Sequence, residues 1–172
     1  MTPLVFLLGG ARSGKSSLAV RLAAQSGLPV VFVATAGVRD DGEMRARIEA
    51  HRAERPAGWT TVEEPADPGQ ALAAAPADAC VVLDCLTLWV ANALESGLGD
   101  EEVEGRAVEL ARVAAARGRL TIVVSNEVGL GVVPGTPLGR RFRDVLGRVN
   151  AIVAAAADRA SLVVAGRELE LR

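Results

Sequence analysis

Five short apolar runs recur along the chain, and each is separated from the next by a longer segment of mixed polarity. The runs cover residues 4–8, 30–33, 80–83, 120–124 and 162–164 and are rich in Val, Leu and Ile. Continuous apolar runs of this length are typical of strands buried on both faces, and the segments between them are long enough for crossover helices. The pattern predicts an α/β fold, with a mainly parallel sheet covered by helices on both faces.

Helical spacing of apolar residues marks the longest predicted helix, over residues 138–157. A more polar helix is predicted over residues 100–116, and a shorter one follows Asp84, passes through Trp89 and ends near Leu94. The apolar stripe of the longest helix consists of Leu138, Phe142, Val145, Leu146, Val149, Ile152 and Val153.

Two further segments complete the predicted architecture. After the last apolar run, Gly166 and Arg167 precede an alternation of Glu and Leu over residues 168–171, which predicts a terminal hairpin with an antiparallel edge strand. Residues 65–78 are rich in Ala, Pro and Asp. We expect a surface connection there within one domain, residues 1–172, because neither half alone would hold a complete sheet.

Composition narrows the function classes. The net charge is −2 and aromatic residues make up 3% of the chain, which argues against a nucleic-acid partner, since such partners call for basic and stacking residues. No apolar stretch is long enough to span a membrane, and the apolar opening lacks a basic leader, so a cytoplasmic protein is expected. Cys80 and Cys85 are too few for a disulfide scaffold or a zinc site, and we expect reduced core thiols.

A phosphate-binding motif follows the first predicted strand directly. Glycines let the loop backbone turn its N–H groups toward phosphate oxygens, and the next helix, through Leu18, Leu22 and Ala23, adds its positive end. Lys15 would reach the outer phosphates and Ser16 would coordinate Mg²⁺. Lys and Arg total 19 and Lys15 is the only lysine, so the other 18 are arginines. The chain thus has its one lysine ammonium within the phosphate loop, where a compact ammonium fits better than a planar guanidinium. The motif, GxxxxGK[ST], is Gly9-Gly10-Ala11-Arg12-Ser13-Gly14-Lys15-Ser16.

Acidic residues follow two of the predicted strands. Asp84 ends the third apolar run, where a carboxylate would hold Mg²⁺ beside the phosphates; alternatively, it caps the next helix. Glu127 follows Ser125 and Asn126 at the end of the fourth run. Because α/β sheets bind ligands at the carboxyl ends of their strands, Glu127 is a candidate for orienting water, metal or substrate, and a turn-capping role is the alternative.

His51, the only histidine, lies in a predicted helix that begins near Asp40 and Asp41. Neutral imidazole is a competent nucleophile toward phosphorus, and the arginines around it would attract phosphates. Met44 and Ile48 share one helical face with His51, however, so a buried structural histidine is an equally good interpretation.

Four motifs together are similar to the bifunctional adenosylcobinamide kinase and adenosylcobinamide-phosphate guanylyltransferase family, from Gly9 to about Gly166. Besides the phosphate loop, they are Arg47-Ile48-x-x-His51-Arg52-x-x-Arg55-Pro56-x-x-Trp59, Asn126-Glu127-Val128-Gly129-x-Gly131-x-Val133-Pro134 and Phe142-Arg143-Asp144. The one departure noted is Ala151, where Gln is expected after Asn150.

The resemblance implies a two-step activity on a corrinoid, with ATP and GTP as substrates. First, a nucleoside triphosphate phosphorylates the aminopropanol hydroxyl of adenosylcobinamide. GTP then donates GMP to His51, which passes it to the phosphorylated substrate and gives adenosylcobinamide-GDP and pyrophosphate. A RecA-like fold and a trimer are also implied. The implied nucleotide contacts, beyond the phosphate loop, are Ala34, Thr35, Ala36, Arg52, Ala53, Glu54, Arg55, Glu63 and Asp84.

Two other functions compete with this interpretation. A simple small-molecule or nucleotide kinase would use the phosphate loop and leave His51 packed in the core. A non-catalytic or motor-like module acting on nucleic acid would share the phosphate loop, but the net charge and the shortage of aromatics count against it.

Overall fold

A computed structural model describes residues 4–37 and 55–171 of the chain, which alternate between strands and helices. The strands are β1 (Leu4–Gly9), β2 (Val30–Ala34), β3 (Thr60–Glu63), β4 (Cys80–Asp84), β5 (Thr121–Asn126), β6 (Arg159–Val164) and β7 (Arg167–Leu171). The helices are α1 (Lys15–Gln25), α2 (Pro68–Ala74), α3 (Leu86–Glu95), α4 (Asp100–Ala116) and α5 (Pro137–Ala156).

The seven strands form one sheet in the order β3-β2-β4-β5-β1-β6-β7. All neighbouring pairs are parallel except β6 and β7, which form the antiparallel hairpin predicted from the sequence. Because β1 lies between β5 and β6, the phosphate loop that follows it emerges near the centre of the sheet. The parallel strands end at one side of the sheet, which we call the carboxyl edge.

Helices cover both faces of the sheet, as predicted. On one face, α1 packs through Leu18, Ala19 and Ala23 against alternate residues of the central strands. On the other, α2, α3, α4 and α5 bury a larger cluster that includes Trp89 and Leu146. None of the helices within residues 4–37 and 55–171 combines the length and the apolar character needed to span a membrane.

Two elements differ from the sequence prediction. The strand β3 was not predicted, because its four residues carry no apolar run and all of them are exposed at the sheet edge. The segment predicted as a surface connection contains α2, which begins at Pro68 and is capped by the Asp67 carboxylate accepting from Gln70 N–H. Asp before Pro is a helix start signal that outweighs the loose composition of this segment.

Both cysteines are free thiols in the core, as expected. Burial raises the pKa of Cys80 to about 11, and burial together with the neighbouring Asp84 carboxylate raises the pKa of Cys85 to about 11. Both side chains are therefore neutral thiols near neutral pH and behave as small apolar groups.

Arg117 fixes the turn between α2 and β4 from the far end of α4. Its guanidinium donates to four backbone oxygens, those of Leu72, Ala75, Pro76 and Ala79, at 2.7 to 3.2 Å. The carbonyls at a helix end lack intrahelical partners, so one guanidinium here replaces several bonds that the backbone cannot make.

We expect Arg117→Ala to lower the free energy of unfolding by about 2 kcal/mol, because charged hydrogen bonds to partly buried carbonyls are lost. Urea denaturation measures this change. The matched control is Arg112→Ala, which removes only an exposed ion pair with Glu109 on the same helix and should leave stability almost unchanged. Equal effects of the two substitutions would contradict the assigned role of Arg117.

Candidate functional site

The phosphate motif forms a tight loop between a strand and a helix. The strand β1 ends at Gly9 and α1 begins at Lys15, with Gly14 at the N-cap position and a φ of 95° that suits glycine. Arg12 also has a positive φ, 57°, which is uncommon for a residue with a side chain. Ser13 N–H donates to the Gly10 carbonyl at 3.3 Å and closes the turn. The loop and helix thus have the arrangement of an anion-binding site.

The Lys15 side chain is folded into this loop. The residue is only 8% exposed, and its Nζ donates to the Gly10 carbonyl at 2.9 Å. Burial lowers the pKa of the ammonium, and the nearby Asp84 carboxylate offsets part of that effect. Because its hydrogen-bond acceptor is a neutral carbonyl, the buried ammonium is only partly compensated, and an anion entering the loop would be favoured.

Asp84 occupies the carboxyl edge in register with other predicted site residues. Ala34 pairs with Asp84 on one side and with Glu63 on the other, so residues from three separate segments form one row across the sheet. The N-cap position of α3 is Cys85, so Asp84 does not occupy the position that the capping alternative required.

Hydroxyl and carboxylate oxygens at this edge fit a hard divalent cation. The Ser16 hydroxyl lies in the first turn of α1, and the Asp84 carboxylate is close enough to Lys15 to interact with it electrostatically. Mg²⁺ is typically held by one or two protein oxygens together with substrate phosphates. Among residues 4–37 and 55–171, no group of three or more acidic, His or Cys side chains surrounds one point.

Thr35 joins the ends of β2 and β4. Its side chain is fully buried, and Oγ1 donates to the Cys85 carbonyl at 2.6 Å and accepts from the Cys85 N–H at 2.9 Å. From α3, Asn92 Nδ2 donates to the carbonyls of Thr35 at 2.9 Å and Pro65 at 3.2 Å. These bonds hold the segment of residues 34–36 beside Asp84.

Thr35→Val should destabilise the protein by about 2 kcal/mol, because the Cys85 N–H would lose its partner and the Cys85 carbonyl would keep only its bond from the Trp89 N–H. Thr35→Ser keeps the hydroxyl and should cost about 1 kcal/mol, the contribution of one methyl group. Thermal or urea unfolding of both variants tests this difference. A serine variant as unstable as the valine variant would show that the hydroxyl is not the important group.

Glu127 makes a local turn contact. Its carboxylate accepts from the Gly129 N–H, and its own N–H donates to the Gly9 carbonyl at 3.0 Å. The turn-capping interpretation therefore has direct structural support, although the residue lies beside the phosphate loop. The preceding residue, Asn126, is held from α5: Asn150 Nδ2 donates to the Asn126 carbonyl at 3.1 Å and fixes the end of β5.

Arg55 stands on the α1 side of the sheet. Its guanidinium stacks on the Phe32 ring at 3.7 Å from the centroid, and Nη1 donates to Thr61 Oγ1 at 3.3 Å. His51, Arg52, Ala53 and Glu54, as well as Asp40 and Asp41, lie outside the described residues.

The carboxyl edge thus brings together the phosphate loop, residues 34–36, Asp84 and Glu127. Glu63 shares the row but is exposed on the outermost strand. Sequence reasoning missed Asn92, which braces this edge. An amide in the mostly apolar helix α3 is the signal that would have identified it, since an amide withdrawn from solvent requires partners.

Comparison with known proteins gives a family match along almost the whole chain. The family described as cobinamide kinase / cobinamide phosphate guanyltransferase matches residues 5–171. The bifunctional adenosylcobalamin biosynthesis protein CobP of Pseudomonas aeruginosa PAO1 is 46% identical over 168 residues, covering 96% of this chain and 95% of the relative. The bifunctional adenosylcobalamin biosynthesis protein CobU of Escherichia coli K12 is 38% identical over 182 residues, covering 98% of this chain and 99% of the relative.

Solved structures agree on the fold. A RadB recombinase superposes with a TM-score of 0.54 at 18% identity, covering 94% of this chain and 74% of that one. A type III secretion system ATPase superposes with a TM-score of 0.56 at 14% identity, and the match covers 93% of this chain and 50% of the ATPase. At these identities the likeness concerns the fold alone, a RecA-like P-loop architecture.

Proposed function

This chain belongs to the cobinamide kinase / cobinamide phosphate guanyltransferase family, and on that premise we propose that it phosphorylates adenosylcobinamide and then transfers GMP to the product. The observation that carries the proposal is the buried Lys15 ammonium inside a glycine-rich loop, in a chain that matches the family over residues 5–171. The products of the two reactions would be adenosylcobinamide phosphate and adenosylcobinamide-GDP.

In the first reaction the chain's residues position a triphosphate and stabilise charge. The N–H groups of residues 9–16 would bind the phosphate oxygens, and Lys15 would leave the Gly10 carbonyl to contact the outer phosphates. The aminopropanol hydroxyl then attacks the γ-phosphorus and loses its proton to solvent, the bond from the γ-phosphorus to the β-phosphate oxygen breaks, and the nucleoside diphosphate leaves. A buried ammonium is effective here because it stabilises the charge that develops on the transferred group.

Ser16 and Asp84 are the residues that would hold Mg²⁺, directly or through water. When bound, the ion would neutralise part of the negative charge on the triphosphate. The hard oxygen donors of both side chains suit this ion.

In the second reaction we propose His51 as the nucleophile. A ring nitrogen attacks the α-phosphorus of GTP, a P–N bond forms, the bond to the β-phosphate oxygen breaks, and pyrophosphate leaves. A phosphate oxygen of adenosylcobinamide phosphate then attacks the same phosphorus, which gives the P–O–P link and releases the histidine. Arg52, Ala53, Glu54 and Arg55 would contact the nucleotide, with Ala34, Thr35, Ala36 and Glu63.

The relatives are named as bifunctional proteins of adenosylcobalamin biosynthesis, and this supports a corrinoid substrate for the present chain. A homotrimer is part of the same proposal, and it follows from the family resemblance. Glu127 is proposed as a residue that shapes the loop beside Gly9, in agreement with its contact to Gly129.

Product analysis tests the two reactions separately. With adenosylcobinamide, Mg²⁺ and ATP, we expect corrinoid phosphate and ADP without pyrophosphate; adding GTP should then release one pyrophosphate for each GMP transferred. Transfer of γ-phosphate with no pyrophosphate from GTP would instead support the simple kinase. Failure of both reactions would refute the proposal.

A further inference from the structure

The turn between β6 and β7 is in direct contact with the phosphate loop. Gly166 N–H donates to the Ser13 carbonyl at 2.8 Å. A Cβ built on Gly14 would lie 3.3 Å from Gly166 Cα, so the two backbones are in contact because Gly14 has no side chain. Gly166 lies outside the four motifs that carry the family resemblance and has no part in the proposed chemistry.

The hairpin holds the start of the loop as well as its end. Gly9 pairs with Val163 of β6, and a Cβ built on Gly9 would lie only 2.4 Å from the Val163 carbonyl oxygen and 2.7 Å from Ser13 Oγ. Atoms at such distances would overlap, so β6 and the phosphate loop approach as closely as two backbones can.

The conformation of the turn is demanding. Val164 pairs with Arg167, and the two residues between them, Ala165 and Gly166, have φ values of 49° and 73°. Two-residue hairpins with positive φ at both positions are tight and match the strand twist, and they favour Asn or Gly at the first position. Ala165 is therefore strained, and the tight turn is kept in spite of that strain.

Peptide geometry links this contact to nucleotide binding. In a planar trans peptide the C=O of one residue and the N–H of the next point in opposite directions. When the Ser13 carbonyl is held toward the hairpin, the Gly14 N–H points away from it. A freely rotating Ser13–Gly14 peptide could instead present its carbonyl oxygen to the phosphates, and that orientation would repel them.

We propose that the β6–β7 turn is a positioning element, in which the Gly166 N–H fixes the Ser13–Gly14 peptide so that the Gly14 N–H is presented to the bound phosphates. The proposal rests on the proposed function, since it assumes a triphosphate in this loop. Gly166 acts through the loop and does not itself contact the substrate.

A pair of glycines allows a controlled test. Gly166 and Gly27 are both exposed, have φ values of 73° and 67°, and leave open space around an added Cβ. Gly27 lies in the turn from α1 to β2, away from the carboxyl edge. Valine strongly disfavours positive φ, so each substitution forces its own turn to rearrange at a similar cost in stability.

The Kd for Mg·GTP, titrated at a temperature where all the proteins are folded, should rise about five- to tenfold in Gly166→Val, the effect of losing one hydrogen bond. In Gly27→Val it should stay within about a factor of two of wild type. In Gly166→Val the KM for adenosylcobinamide should not change, whereas general destabilisation would affect both substrates. Equal Kd values for the two variants would overturn the inference.

Amide hydrogen exchange of the wild-type protein gives a second test that does not depend on a variant folding. Exchange at the Gly166 amide should slow when Mg·GTP is added, because the ordered loop strengthens the bond to the Ser13 carbonyl. Unchanged exchange at saturating nucleotide would contradict the proposal. Wild type that fails to bind Mg·GTP at all would instead refute the proposed function, so the two failures can be told apart.

Discussion

Lys15→Ala is expected to reduce the turnover of the phosphoryl transfer reaction by about 100- to 1000-fold, the usual effect of removing one preorganised donor to developing charge. Lys15 is the only lysine of the chain, so no other lysine ammonium can take its place. Steady-state assays of adenosylcobinamide phosphorylation measure the effect. The fold should survive, because the change removes a poorly compensated buried charge rather than apolar contacts.

Lys15→Arg distinguishes the compact ammonium from positive charge in general. The guanidinium is planar and larger, and we expect it to restore little of the lost activity. Arg119→Ala, on an exposed residue of the turn before β5, is the matched control and should retain full turnover. Near-normal turnover in Lys15→Ala would mean that the triphosphate reacts elsewhere.

His51→Ala is expected to abolish covalent labelling of the protein by GTP labelled at the α-phosphate, because the attacking nitrogen is removed. Wild type should take up label that is labile in acid and stable in base, as a phosphorus–nitrogen bond requires. Net formation of adenosylcobinamide-GDP should fall to the background rate. Gel-based counting of the label after acid and base treatment measures the result.

Phosphoryl transfer is the internal control for this variant. It depends on Lys15 and the phosphate loop, so His51→Ala should still convert adenosylcobinamide to its phosphate. Labelling of His51→Ala at the wild-type level would exclude the histidine as nucleophile. Loss of both reactions together would favour a structural role of His51, in the packing of the helix that the sequence predicts around it.

The central features of the fold were predictable from apolar patterning. The five apolar runs correspond to β1, β2, β4, β5 and β6, and the alternation after Gly166 is the antiparallel strand β7. The strands β1, β2, β4 and β5 are buried on both faces, which is why their sequences are continuous apolar runs, whereas all five residues of β7 are exposed. The sequence of β3 has no apolar run that would predict a strand, because an exposed edge strand needs only backbone pairing with β2.

The candidate site was predictable where local sequence determines geometry. Gly14 and Lys15 belong to a contiguous motif, and Asp84 ends a buried strand. Asn92 and Gly166 act on the site through contacts with Thr35 and Ser13, which lie 57 and about 150 residues away in sequence. Such contacts depend on how the helices and strands pack, so local sequence does not predict them.

Equilibrium binding of GTP to the wild-type protein, followed by calorimetry with and without Mg²⁺, tests the central claim most directly. We expect saturable binding that weakens when Mg²⁺ is removed and that is largely lost in Lys15→Ala. No heat of binding for either GTP or ATP in magnesium buffer, from protein shown to be folded, would contradict the assignment of the loop at residues 9–16 as a triphosphate site.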